Sequence, residues 1–194
     1  MEPVHRQKPP RLAEVFRSLD APLYFVTFCT WQRQRVLLSE SVHQAFQQYA
    51  QRGIAEYGVA VGRYVIMPEH VHLFVCGGCD FDLGLWVRGL KRAMAAGVAG
   101  TATTTTTGVA GTATTTTGVA GMATTPATAD AVVSGSTPRP LRLWQPGFFD
   151  HLLRNGESYE QKWHYVRENP VRAGLVARAE DWLYQGEIVA IDRV

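Results

Sequence analysis

The chain has 194 residues, 46% hydrophobic and 19% charged, with a formal net charge of +2. That length and composition carry one domain with a real core and exclude a globally disordered chain or a disulfide-dense mini-protein. Three cysteines (Cys29, Cys76, Cys79) are an odd number that does not suggest a disulfide framework. No apolar run approaches the roughly 20 residues of a membrane span. The start, "MEPVHRQKPPRLAEVF", is basic and Pro-rich without the apolar stretch of a signal peptide, so a cytoplasmic protein without a membrane partner is expected.

Residues 1–22 read as a basic N-terminal arm. "LYFVTFCT" (Leu23 to Thr30) is aromatic and β-branched, and is expected to be a strand. A basic loop, "WQRQRVLLS", follows. "SESVHQAFQQYAQRGIAEYG" spaces Val42, Phe46, Tyr49 and Ile54 at helical intervals, with Ser39 or Ser41 as N-cap and Gly58 as stop. "VAVGRYVIM" is a second strand. Pro68 in "MPEH" has no place inside a central ladder and marks a turn. "HVHLFVC" then returns as a third strand antiparallel to the second. "LGLWVRGLKRAMAAG" reads as a basic amphipathic helix carrying Arg88, Lys91 and Arg92.

Residues 97–140 change character. "GVAG" recurs at 97, 108 and 118 with threonine runs between, at a spacing that drifts from eleven to ten. The expectation is a low-complexity insertion without fixed structure, with a threonine-rich strand stack as the alternative. Order is expected to resume with a short strand "LRLW", broken by Pro146-Gly147. A helix over "GESYEQKWHYVREN" follows, with Ser158 and Gln161 at capping-box spacing and an end before Pro170. The tail is expected to pack through Trp182 and Tyr184. Strands linked by a hairpin and interleaved with two main helices imply an α+β fold with a ferredoxin-like antiparallel sheet. One domain, 23–96 and 141–194, would be interrupted by the insertion at 97–140.

His70 and His72 stand two apart in the third strand, so they share a face roughly 6.6 Å apart. Two imidazoles at that separation can grip one metal ion, although spacing alone suits two ordinary polar residues on a half-exposed sheet face better. "CGGC" (Cys76 to Cys79) lacks the second pair a zinc knuckle needs, and reads as a small-residue loop at a strand end. Tyr165 and Asn169 lie four apart on one helix. That face could offer a nucleophile and an amide oxygen for a metal, or simply pack.

Four stretches in order, "YFVTFCTWQR", "MPEHVHLFV", "LWQPGFFDHLLRN" and "HYVRENPVRAGLV", resemble the single-tyrosine HUH transposases, and within them the REP-associated tyrosine transposases. The resemblance covers roughly residues 23 to 182, the insertion excluded. It implies a ferredoxin-like fold, with His70 and His72 as metal ligands holding Mg²⁺ or Mn²⁺, Asn169 as a further ligand, and Tyr165 as the catalytic nucleophile. It also implies a DNA partner (single-stranded, hairpin or palindromic repeat) that is cleaved and rejoined through a 5′-phosphotyrosine, and a monomer or homodimer. Arginine is suited to phosphate and aromatic rings to unpaired bases, so Arg33, Arg35, Arg88, Lys91, Arg92, Trp144 and Arg154 are the expected DNA contacts. A non-catalytic relative that only binds DNA hairpins is the alternative function. A metal-dependent hydrolase that uses the histidines without Tyr165 is a further one.

Overall fold

The structure is a computed structural model and describes residues 21–78, 80–106, 142–153 and 156–191. In chain order its elements are β1 (Leu23–Cys29), α1 (Glu40–Tyr57), β2 (Val59–Ile66), β3 (His70–Gly77), α2 (Leu83–Thr106), β4 (Phe149–Leu153), α3 (Gly156–Arg167), α4 (Asn169–Arg172) and β5 (Gln185–Glu187). The strands form one five-stranded antiparallel sheet in the order β4-β1-β3-β2-β5. The α+β, ferredoxin-like expectation therefore holds.

Strand β3 is central because its apolar alternation serves both faces. Val71, Leu73 and Val75 enter one core with Val26 and Phe28 of β1, Phe46 of α1, and Leu90 and Met94 of α2. Phe74 and Cys76 enter the other with Leu23 and Phe25 of β1, Tyr159 and Val166 of α3, and Trp182. His70 and His72 alternate with the first set and so lie on the α3 face. The turn at Pro68 is closed by the Met67 N–H donating to the His70 carbonyl at 2.8 Å.

Helix α1 has the expected ends. The Ser39 side chain accepts from the Val42 N–H, and Gly58 leaves the helix at φ 60°, where a side chain is strained. Trp182 packs as expected, donating from Nε1 to the Ile66 carbonyl at 3.1 Å.

Three elements differ from the sequence expectation. Helix α2 continues to Thr106, ten residues into the segment read as an insertion. At Gly97 the helix touches the backbone of α1 so closely that a Cβ would lie 2.8 Å from the Ser41 carbonyl oxygen. The rest of that segment, 107–140, lies outside the described residues, as do residues 1–20. The described residues of "LRLW" form an isolated bridge from Trp144 to Thr30 and a 2.7 Å bond from the Trp31 N–H to the Leu143 carbonyl, and the fourth strand is Phe149–Leu153. Helix α3 begins at Gly156, two residues before the proposed Ser158 cap.

Candidate active site

The register of β3 sets the site. His72 faces Thr27 on β1 and Val65 on β2, and His70 faces Cys29. The two imidazole rings stand 4.7 Å apart, nearly perpendicular at 82°. His72 stacks on Phe25 at 5.6 Å and shares a 2.7 Å hydrogen bond between Nδ1 and Thr27 Oγ1. His70 Nδ1 donates to the Glu69 carboxylate at 3.0 Å. With Nδ1 engaged on each ring, Nε2 is the nitrogen left to bind a ligand.

Burial favours the neutral form of both rings. It lowers the His70 pKa, an effect the Glu69 carboxylate partly opposes. It drives His72 down to about 3, helped by the neighbouring His70 and by the charges of Arg33 and Arg172. A neutral imidazole is the ligating form, so the donor chemistry fits a divalent ion. No group of three or more His, Cys, Asp or Glu able to hold a metal occurs among the described residues.

Tyr165 sits on α3 with 63% of its surface exposed, while Tyr159 one helical stretch earlier is 1% exposed. Only the first can offer its hydroxyl to a large substrate. Tyr165 shares a cavity of about 330 Å³ with His151, Leu153, Gln161 and Lys162. His151 pairs with Phe25 across β4 and β1, which places it on the same sheet face as the histidine pair. Arg172 binds the tyrosine to the next turn. Its guanidinium lies 4.2 Å over the Tyr165 ring, donates to the Tyr165 carbonyl at 2.5 Å, and donates to Asn169 Oδ1. The Asn169 amide oxygen, expected as a third metal ligand, is engaged by that guanidinium.

Arg33 also reaches both histidines through its charge. It follows β1 in the turn Trp31–Arg33, where Gln32 and Arg33 adopt φ 51° and 55°. Such left-handed conformations cost of order 1–3 kcal/mol each and persist where the surroundings impose them. Here the Thr30 hydroxyl is held by the Gln34 and Glu69 carbonyls at 2.8 and 3.0 Å. Arg35 is exposed in the loop that follows.

The remaining expected DNA contacts divide. Arg88 and Arg92 are exposed on α2, away from the histidines. Lys91 does not face solvent: it is 8% exposed, lies over the Phe28 ring at 5.3 Å, and donates to the Gln145 and Gly147 carbonyls at 3.2 and 2.5 Å. Trp144 likewise is tied in place, donating from Nε1 to the Lys91 carbonyl at 2.8 Å and packing edge-on against Phe28. Both fasten the returning chain to the helix. Arg154 lies outside the described residues. Sequence reasoning offered His151 and Glu69 as candidate acceptors of the tyrosine proton, and did not single out Arg172 or Lys162 as site residues. Arg172 was legible from its i, i+3 spacing to Asn169; Lys162 required the position of β4 and its helix on the sheet.

Two neutral imidazoles, two nearby guanidinium groups and an exposed phenol make a site for an anion with an electrophilic centre. The family model described as "Transposase IS200 like" matches residues 21–111. A curated relative, the REP-associated tyrosine transposase of Escherichia coli (strain K12), is 40% identical over 40 residues, 21% of this chain and 24% of that protein, so the match spans about a quarter of that relative's length. Among solved structures, a REP-associated tyrosine transposase bound to a REP hairpin has the same fold, with a TM-score of 0.53 at 19% identity over 84% of this chain and 75% of that one. The chain is thus similar to the IS200-type transposases. Within them it is similar to the REP-associated tyrosine transposases.

Proposed function

We propose that the protein cleaves and rejoins single-stranded or hairpin DNA through a covalent bond to Tyr165. The observation that supports this reading best is the exposed Tyr165 phenol, held by Arg172 on the sheet face that carries the histidine pair. The relatives named as transposases, one of them solved with a REP hairpin, support DNA as the substrate.

Tyr165 Oη attacks the scissile phosphorus, the P–O3′ bond breaks, and the 3′ oxygen leaves as a hydroxyl once it gains a proton. Because the strand stays linked through a phosphotyrosine ester, a free 3′-hydroxyl can reverse the step and rejoin it. The phenol proton needs an acceptor, and His151 lines the same cavity. Arg172 steadies the ring through its cation–π contact and adds positive charge where the phosphate would sit. His70 and His72, each oriented through Nδ1, would hold a Mg²⁺ or Mn²⁺ ion. Bound there, that ion would polarise a non-bridging phosphate oxygen.

Calorimetric titration of Mn²⁺ into His70→Ala and His72→Ala proteins tests the metal half of this reading. Each should lose measurable affinity for the ion and, in parallel, formation of a protease-sensitive DNA adduct. Adducts formed at the wild-type rate by the double variant would leave the pair as sheet residues only.

A further inference from the structure

A second cavity, of about 530 Å³, opens between α1 and α2. It belongs to neither the histidine face nor that end of the sheet. Phe81, on its wall, packs so tightly against Gly77 at the end of β3 that a Cβ on that glycine would lie 2.3 Å from its ring. His70 begins the same strand, so about 23 Å of strand separates the two places. The cavity also faces the opposite core, since Phe81 and Trp86 pack with Val71, Leu73 and Val75.

Its walls combine three features. Tyr57 stacks on Tyr49 at 6.0 Å and 24° yet leaves half its surface in solvent, and Leu85 beside it is 60% exposed. Arg88 and Arg92, one helical turn apart on α2, line the same opening. Trp86, 3% exposed, carries an indole N–H that has no acceptor among the described residues. A buried donor without a partner is uncommon in a folded protein. Of the two carboxylates on the wall, Asp82 caps α2 by accepting from the Leu85 N–H at 2.8 Å, and Asp80 stands beside it.

From this geometry we infer a second contact for single-stranded DNA, in which one unpaired base stacks on Tyr57 and its flanking phosphates meet Arg88 and Arg92. Stacking on an exposed aromatic beside basic side chains is how sequence-tolerant single-strand sites work. The inference rests on DNA being the substrate and extends it to a strand that leaves the cleavage site and crosses to the far end of the sheet.

The test is binding, by fluorescence anisotropy, of two labelled hairpins to full-length Tyr165→Phe protein. One hairpin carries an unpaired tail of about ten nucleotides, enough to cover the distance at ~3.4 Å per stacked nucleotide. The other is blunt. Tyr57→Ala should weaken the tailed hairpin at least five-fold, the low end for loss of one stacked base, and leave the blunt one unchanged. Tyr57→Phe should restore the affinity. Arg88→Gln with Arg92→Gln should flatten the salt dependence for the tailed hairpin only. Equal affinity of the Tyr57→Ala protein for the tailed hairpin, with adduct formation intact on a wild-type Tyr165 background, would overturn the second contact and leave the cleavage reading standing. A protein that binds neither hairpin would overturn both.

Discussion

At the scale of single residues, Arg172 and His43 make the most direct predictions. Arg172 touches the Tyr165 ring, its carbonyl and Asn169. Arg172→Ala should slow adduct formation roughly ten-fold, the equivalent of losing a cation–π contact of about 1–2 kcal/mol. Arg172→Lys should recover part of that rate through its charge but not the planar guanidinium that lies over the ring. His43 is buried and bonded to the Tyr64 hydroxyl at 2.8 Å, and burial lowers its pKa against the opposing pull of Glu40. Its folded pKa lies below the unfolded value of about 6.5, so the unfolded chain takes up the proton first. The stability it contributes is complete above that pH and declines as pH falls towards the folded value. His72, pushed down to about 3, acts in the same sense. Thermal melting should therefore drop between about pH 6.5 and 5, and less steeply in His43→Gln. A melting temperature flat across that window would contradict the buried neutral rings. The histidine pair itself was legible in the sequence because strand alternation leaves i and i+2 no choice of face. The Lys91 contact was not, because helical periodicity places a lysine on a flank without revealing which carbonyls the returning chain brings to it.

At the scale of elements, α2 divides into parts with different work. Arg88 and Arg92 are exposed, whereas Lys91 clamps the segment Gln145 to Gly147. Lys91→Ala should destabilise the fold by about 1.5–3 kcal/mol through the charge-assisted hydrogen bonds it removes. It should leave the slope of log K against log salt unchanged, since no phosphate contact is lost. Arg88→Gln with Arg92→Gln should do the reverse, flattening that slope by about 1.4 at ~0.7 per contact. A Lys91 variant of unaltered stability and altered salt slope would return that residue to the DNA surface. The helices with clear caps, such as α1, were readable end to end. Strand β4 was not, because Phe149, Asp150, His151 and Leu152 are all exposed and lack the alternation that marks a half-buried strand. Strand β5 is three residues long, too short to carry a period.

At the scale of the whole molecule, the sheet order β4-β1-β3-β2-β5 explains why distant stretches of sequence form one site. The central strand supplies the histidines, β1 supplies Thr27 and Phe25, and α3 supplies Tyr165. Among the described residues, the low-complexity stretch enters α2 and seats Gly97 against the α1 backbone. Replacing 107–140 by a short Gly/Ser link should change thermal stability little, because loop closure varies by only about 0.6 kcal/mol per doubling of length. A replacement that begins at Gly97 should destabilise, because it removes a helical segment seated on the α1 backbone. Equal melting temperatures for the two deletions would contradict that packing. The central claim is that Tyr165 is the residue joined to DNA. The measurement that tests it is mass spectrometry of tryptic peptides after incubation of the protein and its Tyr165→Phe variant with hairpin DNA and Mn²⁺. The account predicts a nucleotide-linked peptide containing Tyr165 in the unaltered protein and none in the variant, which should still bind the hairpin. An adduct that persists in Tyr165→Phe, or one carried by another tyrosine, would contradict it.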